Sequence, residues 1–242
     1  MTADDRALPG RFPDALPVMP RAHAAASDPL ALAKLARDLG PGPFATVLLF
    51  VSPLADRAAL EAGLGDAFPG VTVIGCTTAG EISSEGYCEG EIVAIALPRD
   101  HFAVDCLGIE LADLDGQELI GRLIRARAGL ARRHGAWEDE FAFVMVDGLS
   151  IREDELTAAM GPGLGPVPLF GGSAGDGTRF KATFVLQGGR FRQGWAVVML
   201  VRTACKVRVF SLNHLIPTDR RMVVTGADPA RRVVHQINAE PA

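Results

Sequence analysis

The sequence predicts an α/β fold, α+β in its broad arrangement, built from two internally duplicated halves with mixed sheets and helices on the outer faces. Three observations carry this reading. A short β-rich run, Val71 to Ile74, empties into a small-residue loop, G-C-T-T-A-G-E-I-S-S, and the pattern returns as P-V-P-L-F-G-G-S-A-G-D-G from Pro166 to Gly177. Gly75 and Gly171 stand 96 positions apart, and at that spacing Thr77 falls on Ser173. The flanking runs repeat as well: F-A-T-V-L-L-F-V-S-P from Phe44 parallels F-A-F-V-M-V-D-G-L-S from Phe141, and Gly90 to Leu97 parallels Gly194 to Val201. Each half thus reads strand, helix, strand, small-residue loop and further strands, an order that marks a repeated unit. Each half supplies one sheet-forming set of strands and one amphipathic helix. Two sheets can share a core, so a four-layer αββα sandwich is the expected architecture.

Residues 1–26 are rich in Pro, Ala and Asp and lack an apolar period, which predicts a mobile tail with a short strand around Arg21 to Ala25. Asp28-Pro29 then opens a helix, with Asp as N-cap. Leu32, Leu35, Ala36 and Leu39 give it one apolar face, and Gly40 closes it. Val47 to Val51 is an unbroken apolar strand, covered on both faces. Ser52-Pro53 caps the next helix, which presents Leu60, Leu64 and Phe68. In the second half Ser150 and Glu153 form a capping box ahead of a helix carrying Leu156 and Met160.

Between the halves, Asp115 starts a helix reaching about His134, with Leu119, Leu123, Ile124 and Leu130 inward. Its five arginines, Arg122, Arg125, Arg127, Arg132 and Arg133, read as a solvated face with cations near a helix C-terminus rather than as a phosphate patch. Gly161 to Pro166 reads as an extended, glycine-loosened linker. Thr183 to Gln187, Gly188-Gly189 and Phe191 to Val201 read as a hairpin, and Val207 to Leu212 as a further strand. The halves are bounded at about 43–110 and 140–213.

Composition excludes several classes of function. Hydrophobic residues make up 48% and charged residues 22%, the balance of a soluble globular chain. A net charge of −5 leaves no electrostatic footprint for nucleic acid. No apolar run approaches the ~20 residues of a membrane span, and the N-terminus lacks a signal peptide's basic start, so the expected location is cytoplasmic. Cys76, Cys88, Cys106 and Cys205 show no C-x-x-C spacing, which argues against a zinc module and a disulfide framework. Cys106 and Cys205 fall in strand-like runs, whereas Cys76 lies in the loop.

The loops carry the candidate site: Cys76, Thr77, Thr78, Gly80 and Glu81 from the first, and Gly172, Ser173, Gly175 and Asp176 from the second. Their backbone N–H groups and hydroxyls can orient a small polar ligand, and a carboxylate can meet an amine, which suits an amino acid. Glu81 and Asp176 read either as a facing carboxylate pair or as acceptors that stabilise their own loops. G-G-S-A-G-D-G resembles a phosphate-binding loop, but a strand-like run follows it where such a loop must open a helix. A hydrolase would need Cys76 or a loop hydroxyl beside a base such as His214. The histidines, His23, His101, His134, His214 and His235, are scattered, and no metal site is assigned.

The two loops, together with V-L-L-F-V-S and the closing S-L-N-H-L-I-P-T-D-R-R-M-V-V-T-G-A-D and V-V-H-Q-I-N-A-E-P-A, resemble the FIST N domain from about Ala22 to the end. The resemblance implies a non-catalytic sensory module over 27–242, joined to bacterial signalling proteins and, in some eukaryotes, placed beside an F-box. Residues 214–242 would lead toward a FIST C domain, absent from this sequence. The implied partners are that domain and an output protein such as a histidine kinase or cyclic-dinucleotide enzyme. Small molecules such as amino acids are the implied ligands. One subgroup binds haem and senses nitric oxide, so haem is the alternative cofactor, with no named axial ligand here; a protein-interaction scaffold is the second alternative.

Overall fold

The structure is a computed structural model and describes residues 18–213 and 215–242. The remainder of the expected tail, and His214, lie outside the described residues. The chain divides into a larger unit ending at Val209 and a smaller one, Phe210–Ala242.

The first part of the larger unit runs β1 (Arg21–Ala25), α1 (Ala31–Leu39), β2 (Phe44–Val51), α2 (Arg57–Ala67), β3 (Thr72–Thr77), the small hairpin β4 (Glu81–Ser83) and β5 (Gly86–Cys88), then β6 (Glu91–Pro98). The second part runs β7 (Phe102–Glu110), α3 (Gly116–Arg133), β8 (Asp139–Val146), α4 (Glu153–Leu164), β9 (Leu169–Ser173), the hairpin β10 (Val185–Gln187) and β11 (Arg190–Arg192), then β12 (Trp195–Thr203). One sheet has the order β1-β6-β2-β3-β10-β11 and the other β7-β12-β8-β9. The two share one wiring: a parallel pair (β2 with β3, β8 with β9) flanked by an antiparallel strand (β6, β12) and an antiparallel edge (β1, β7). They differ at one edge. The hairpin that follows β9 in sequence pairs with β3, through Cys76↔Val185 and Gly75↔Leu186.

Strand alternation builds the layers. In β2, Val47, Leu49 and Val51 pack with Leu32, Leu35, Leu60 and Leu64 of α1 and α2, while Leu48 faces the other way. In β12, Ala196, Val198 and Leu200 pack with Leu119, Leu123, Leu156 and Met160 of α3 and α4, while Val197, Met199 and Val201 face the other way. The inward sets join Ile74, Cys76, Phe141 and Met145 in a third core shared by both sheets. Helices, sheet, sheet, helices is the order that accounts for the three cores, and period-2 burial is its cause. The two glycines that match in the sequence, Gly75 and Gly171, have one physical role. A Cβ on Gly75 would lie 2.2 Å from the Leu49 carbonyl oxygen, and one on Gly171 1.9 Å from that of Val144. These are their register partners in the parallel neighbours, so both parallel pairs admit only glycine at this point.

Several boundaries differ from the sequence reading, mostly because short polar side chains hydrogen-bond locally. Asp28 does not cap α1: its Oδ1 accepts the Leu30 amide at 2.8 Å, and the helix begins after Leu30. Asp56, not Ser52, caps α2, accepting from the Ala58 and Ala59 amides. No capping box forms at Ser150, whose hydroxyl donates to the Asp147 carbonyl at 2.6 Å, and Arg152 occupies the cap position of α4. Instead of ending before a linker, α4 runs through Pro162 to Leu164. Packing overrides propensity there: Leu164 is buried and Gly163 lies against Leu123 of α3. Asp115 caps α3 as expected, but Ile124 is 51% exposed rather than inward. The later hairpin stops at Arg192, and after Gly194, at φ 67°, β12 joins the other sheet. Val207 to Leu212 forms no strand.

The smaller unit holds the antiparallel order β13 (Val224–Asp228), β14 (Val233–Ile237) and β15 (Glu240–Pro241). No described helix is long and apolar enough to cross a membrane.

The position of the second helical core gives a direct test. Leu123→Ala, at a fully buried site, is expected to cost about 2–5 kcal/mol in urea unfolding. Ile124→Ala, one residue on and largely exposed, is expected to stay within about 0.5 kcal/mol of the parent.

Candidate functional site

The two small-residue loops meet. Thr77, the last residue of β3, donates its amide to the Phe184 carbonyl at 2.9 Å and accepts the Phe184 amide on its hydroxyl at 3.0 Å. Its carbonyl accepts the Gly175 amide at 2.8 Å, and the Thr78 carbonyl accepts that of Gly177 at 3.3 Å. The contact is so close that a Cβ on Gly175 would fall 2.8 Å from the Ala79 nitrogen. Two parallel strand pairs therefore deliver their C-terminal loops to one backbone-bonded junction.

A cavity opens on either side of this junction. The larger, ≈480 Å³, includes Cys76, Thr77, Thr78, Gly80, Gly172, Ser173 and Gly175 in its lining. The smaller, ≈240 Å³, includes Gly80, Glu81 and Asp176, with Glu89 and Arg179. All nine residues singled out from the sequence thus line one cavity or the other, but they do not form a single pocket. The largest cavity described, ≈630 Å³, lies elsewhere, between α1 and α2.

Within the junction the side chains divide by task. The Thr77 hydroxyl is buried and bonded to Phe184, and the Thr78 hydroxyl lies between the Val51 carbonyl, at 3.1 Å, and the Glu81 carboxylate. Glu81 also accepts the Glu91 amide at 3.2 Å. Asp176 accepts three amides, from Phe180 at 2.9 Å, Lys181 at 2.7 Å and Ala182 at 3.0 Å. Both acids therefore anchor loop backbone. The N–H groups of Ala182, then Lys181, hold the Asp176 carboxyl below its ordinary range, against the opposing effect of desolvation; Phe180 and the nearby Arg179 add to the lowering. Ser173 is different: it ends β9, paired with Val146 of β8, but it is exposed and its hydroxyl bonds no described residue, so that hydroxyl is available.

Cys76 is buried, and desolvation pushes its thiol up to about 12. That is the opposite of the depressed value an activated nucleophile needs. His214 lies outside the described residues, and no described histidine lines either cavity. His23 instead bonds Glu91 at 2.8 Å, and His134 stacks on Trp137. No cluster of side chains that could hold a metal ion exists among the described residues. No helix follows G-G-S-A-G-D-G, so the phosphate-loop reading also lacks its helix.

Sequence reasoning does not single out Asp147, Arg179 or the phenylalanines Phe50, Phe143 and Phe170. Asp147 is buried and ties the end of β8 to Leu149, Thr183 and Gly194. The rings, with Met145, wall the larger cavity. Alternation is the signal that finds them: Phe143 and Met145 are two apart in β8, and Phe170 precedes Gly172 by two in β9.

Compared with known families, residues 45–240 match the family model described as FIST N domain. No curated protein matches the chain.

Two outcomes follow from the titrating groups. The Asp176 value is lower in the folded than in the unfolded chain, where it is about 3.9. Its stabilisation is therefore complete above that value and is lost as the pH falls through the folded one. Protection of the Phe180, Lys181 and Ala182 amides, taken relative to the intrinsic exchange rate at each pH, is expected to fall on acidification below about pH 4, with the step abolished in Asp176→Asn. Iodoacetamide at pH 8 is expected to leave Cys76 unmodified in the native protein and to label it after unfolding in urea, as peptide mass mapping would show. A thiol at about 12 is thiolate in only about one molecule in ten thousand at that pH.

Proposed function

The chain belongs to the FIST N domain family, a sensory, signal-transduction domain that binds ligands and is generally non-catalytic, and on that premise we propose that it binds a small zwitterion of the amino-acid kind in the smaller cavity. The observation that carries this reading is that Arg179 shares the lining of a ≈240 Å³ cavity with Glu81, Glu89 and Asp176. A guanidinium suits the ligand's carboxylate, and the carboxylates suit its ammonium. Glu81 and Asp176 each bind loop amides and retain lone pairs for a ligand N–H. Occupancy would thus act on the same side chains that hold the loops.

In this reading the nine candidate residues, five of them at strand ends (Cys76 and Thr77 in β3, Glu81 in β4, Gly172 and Ser173 in β9), act in two ways. Thr77, Thr78, Gly175 and the buried Cys76 form the frame, while Gly80, Glu81, Gly172, Ser173 and Asp176 face the ligand spaces. The common wiring of the two sheets supports descent from a duplicated unit. FIST domains of signalling proteins pair with FIST C. We take that domain as the partner of residues 27–242, with a histidine kinase or cyclic-dinucleotide enzyme as the output. Four free cysteines fit a reducing cytoplasm.

Calorimetric titration with a panel of amino acids tests the proposal. One class is expected to give saturable one-to-one binding. Arg179→Gln, at an exposed position, should weaken it about tenfold with an unchanged melting midpoint, and amidating the ligand's carboxylate should do the same. No saturable binding across the panel, or an affinity indifferent to Arg179→Gln, overturns it.

A further inference from the structure

The larger cavity differs in chemistry from its neighbour. No charged side chain or histidine lines it among the described residues. Its walls are Phe50 from β2, Phe143 and Met145 from β8, and Phe170 from β9. Phe50 and Phe143 meet edge-on at 6.4 Å between centroids, and Phe143 and Phe170 lie 5.2 Å apart at 56°. Phe170 nevertheless remains 43% exposed, so an aromatic wall is left partly uncovered.

Beside these rings sit two buried sulfurs, the Met145 thioether and the Cys76 thiol, polarizable groups that favour contact with aromatic rings. The thiol is neutral, and no counter-charge is present for an ionic ligand. Stripping water from an anion would cost free energy that nothing in the wall restores, and a cation would recover part of that cost from the phenylalanine faces alone. A neutral flat ring loses little on transfer and gains offset or edge contacts with the phenylalanines. The free Ser173 hydroxyl supplies one hydrogen-bonding group at the rim, enough to orient a single N–H or carbonyl edge.

We propose that this cavity binds an uncharged, planar aromatic molecule of the indole class. The ring would lie against Phe143 and Phe170, with its polar edge toward Ser173. This ligand is chemically unlike the zwitterion assigned to the acidic cavity, and the Ala79–Gly80 segment lines both spaces. None of the charged residues of the acidic cavity lines this one, so the site does not depend on the amino-acid reading.

Gly172 provides a clean block. A Cβ built there meets nothing within 4 Å, so a side chain can enter the cavity without displacing backbone. Indole is titrated into the full chain by calorimetry and by ligand-observed NMR, with Gly172→Leu, Phe170→Ala and Arg179→Gln in parallel and the melting midpoint of each recorded. Saturable indole binding is expected, weakened about tenfold or more by Gly172→Leu and by about three- to tenfold in Phe170→Ala. Arg179→Gln should leave it unchanged, which separates this site from the acidic cavity whatever the amino-acid panel shows. Indole-3-acetate and tetramethylammonium should bind more weakly than indole. The proposal is overturned by any of three results: no saturation with indole, an affinity unmoved by Gly172→Leu and Phe170→Ala in variants that melt like the parent, or tighter binding of either charged probe.

Discussion

The backbone of Thr77 is the point on which the molecule turns. Its amide and hydroxyl engage Phe184, and its carbonyl takes the Gly175 amide, so one residue at the end of β3 is bound to segments about a hundred positions later. Those bonds satisfy polar groups that would otherwise be buried unpaired, since Thr77 itself is 1% exposed. Because both parallel strand pairs end at this junction, the loops that follow them must share it. The cavities, and the separation of acidic from aromatic chemistry, are consequences of that closure.

The same geometry explains how much could be read from the sequence. Gly75 and Gly171 were legible because each lies against the carbonyl of its parallel neighbour, a constraint that residue type alone announces. The helix faces were legible because Leu60 and Leu64, or Leu156 and Met160, recur at the helical period and are buried. Helix starts were less so. Asp28, Ser52 and Ser150 all have cap chemistry, yet each spends its oxygen in a local turn, and only the backbone path decides between the two uses. Pro162 and its flanking glycines read as a break; α3 lies close enough to bury Gly163 and Leu164, and that contact cannot be seen from the segment itself.

The site was legible as a set of residues but not as an arrangement. Seven of the nine candidates line one cavity, and Glu81 and Asp176 line the other, with Gly80 common to both. That division depends on which side of the junction each loop passes, a tertiary fact. Residues that look available on paper, the Thr77 and Thr78 hydroxyls, are already bonded, while the Ser173 hydroxyl is free. The rings were missed for a different reason: an aromatic in a strand usually signals core, and it is the sheet order, with β9 at an edge, that places the partly uncovered Phe170.

The hairpin β10–β11 lies late in the chain yet completes the sheet that contains β3. During synthesis, the first sheet therefore reaches the ribosome exit with its β3 edge unpaired and must wait for residues 185–192 to emerge. A nascent chain in that state offers hydrogen-bonding groups to any strand nearby, including the same hairpin from a neighbouring polypeptide. The two halves look alike in wiring, but they are interlocked: cut apart, the first would lack part of its sheet and the second would carry a hairpin with nothing to pair against.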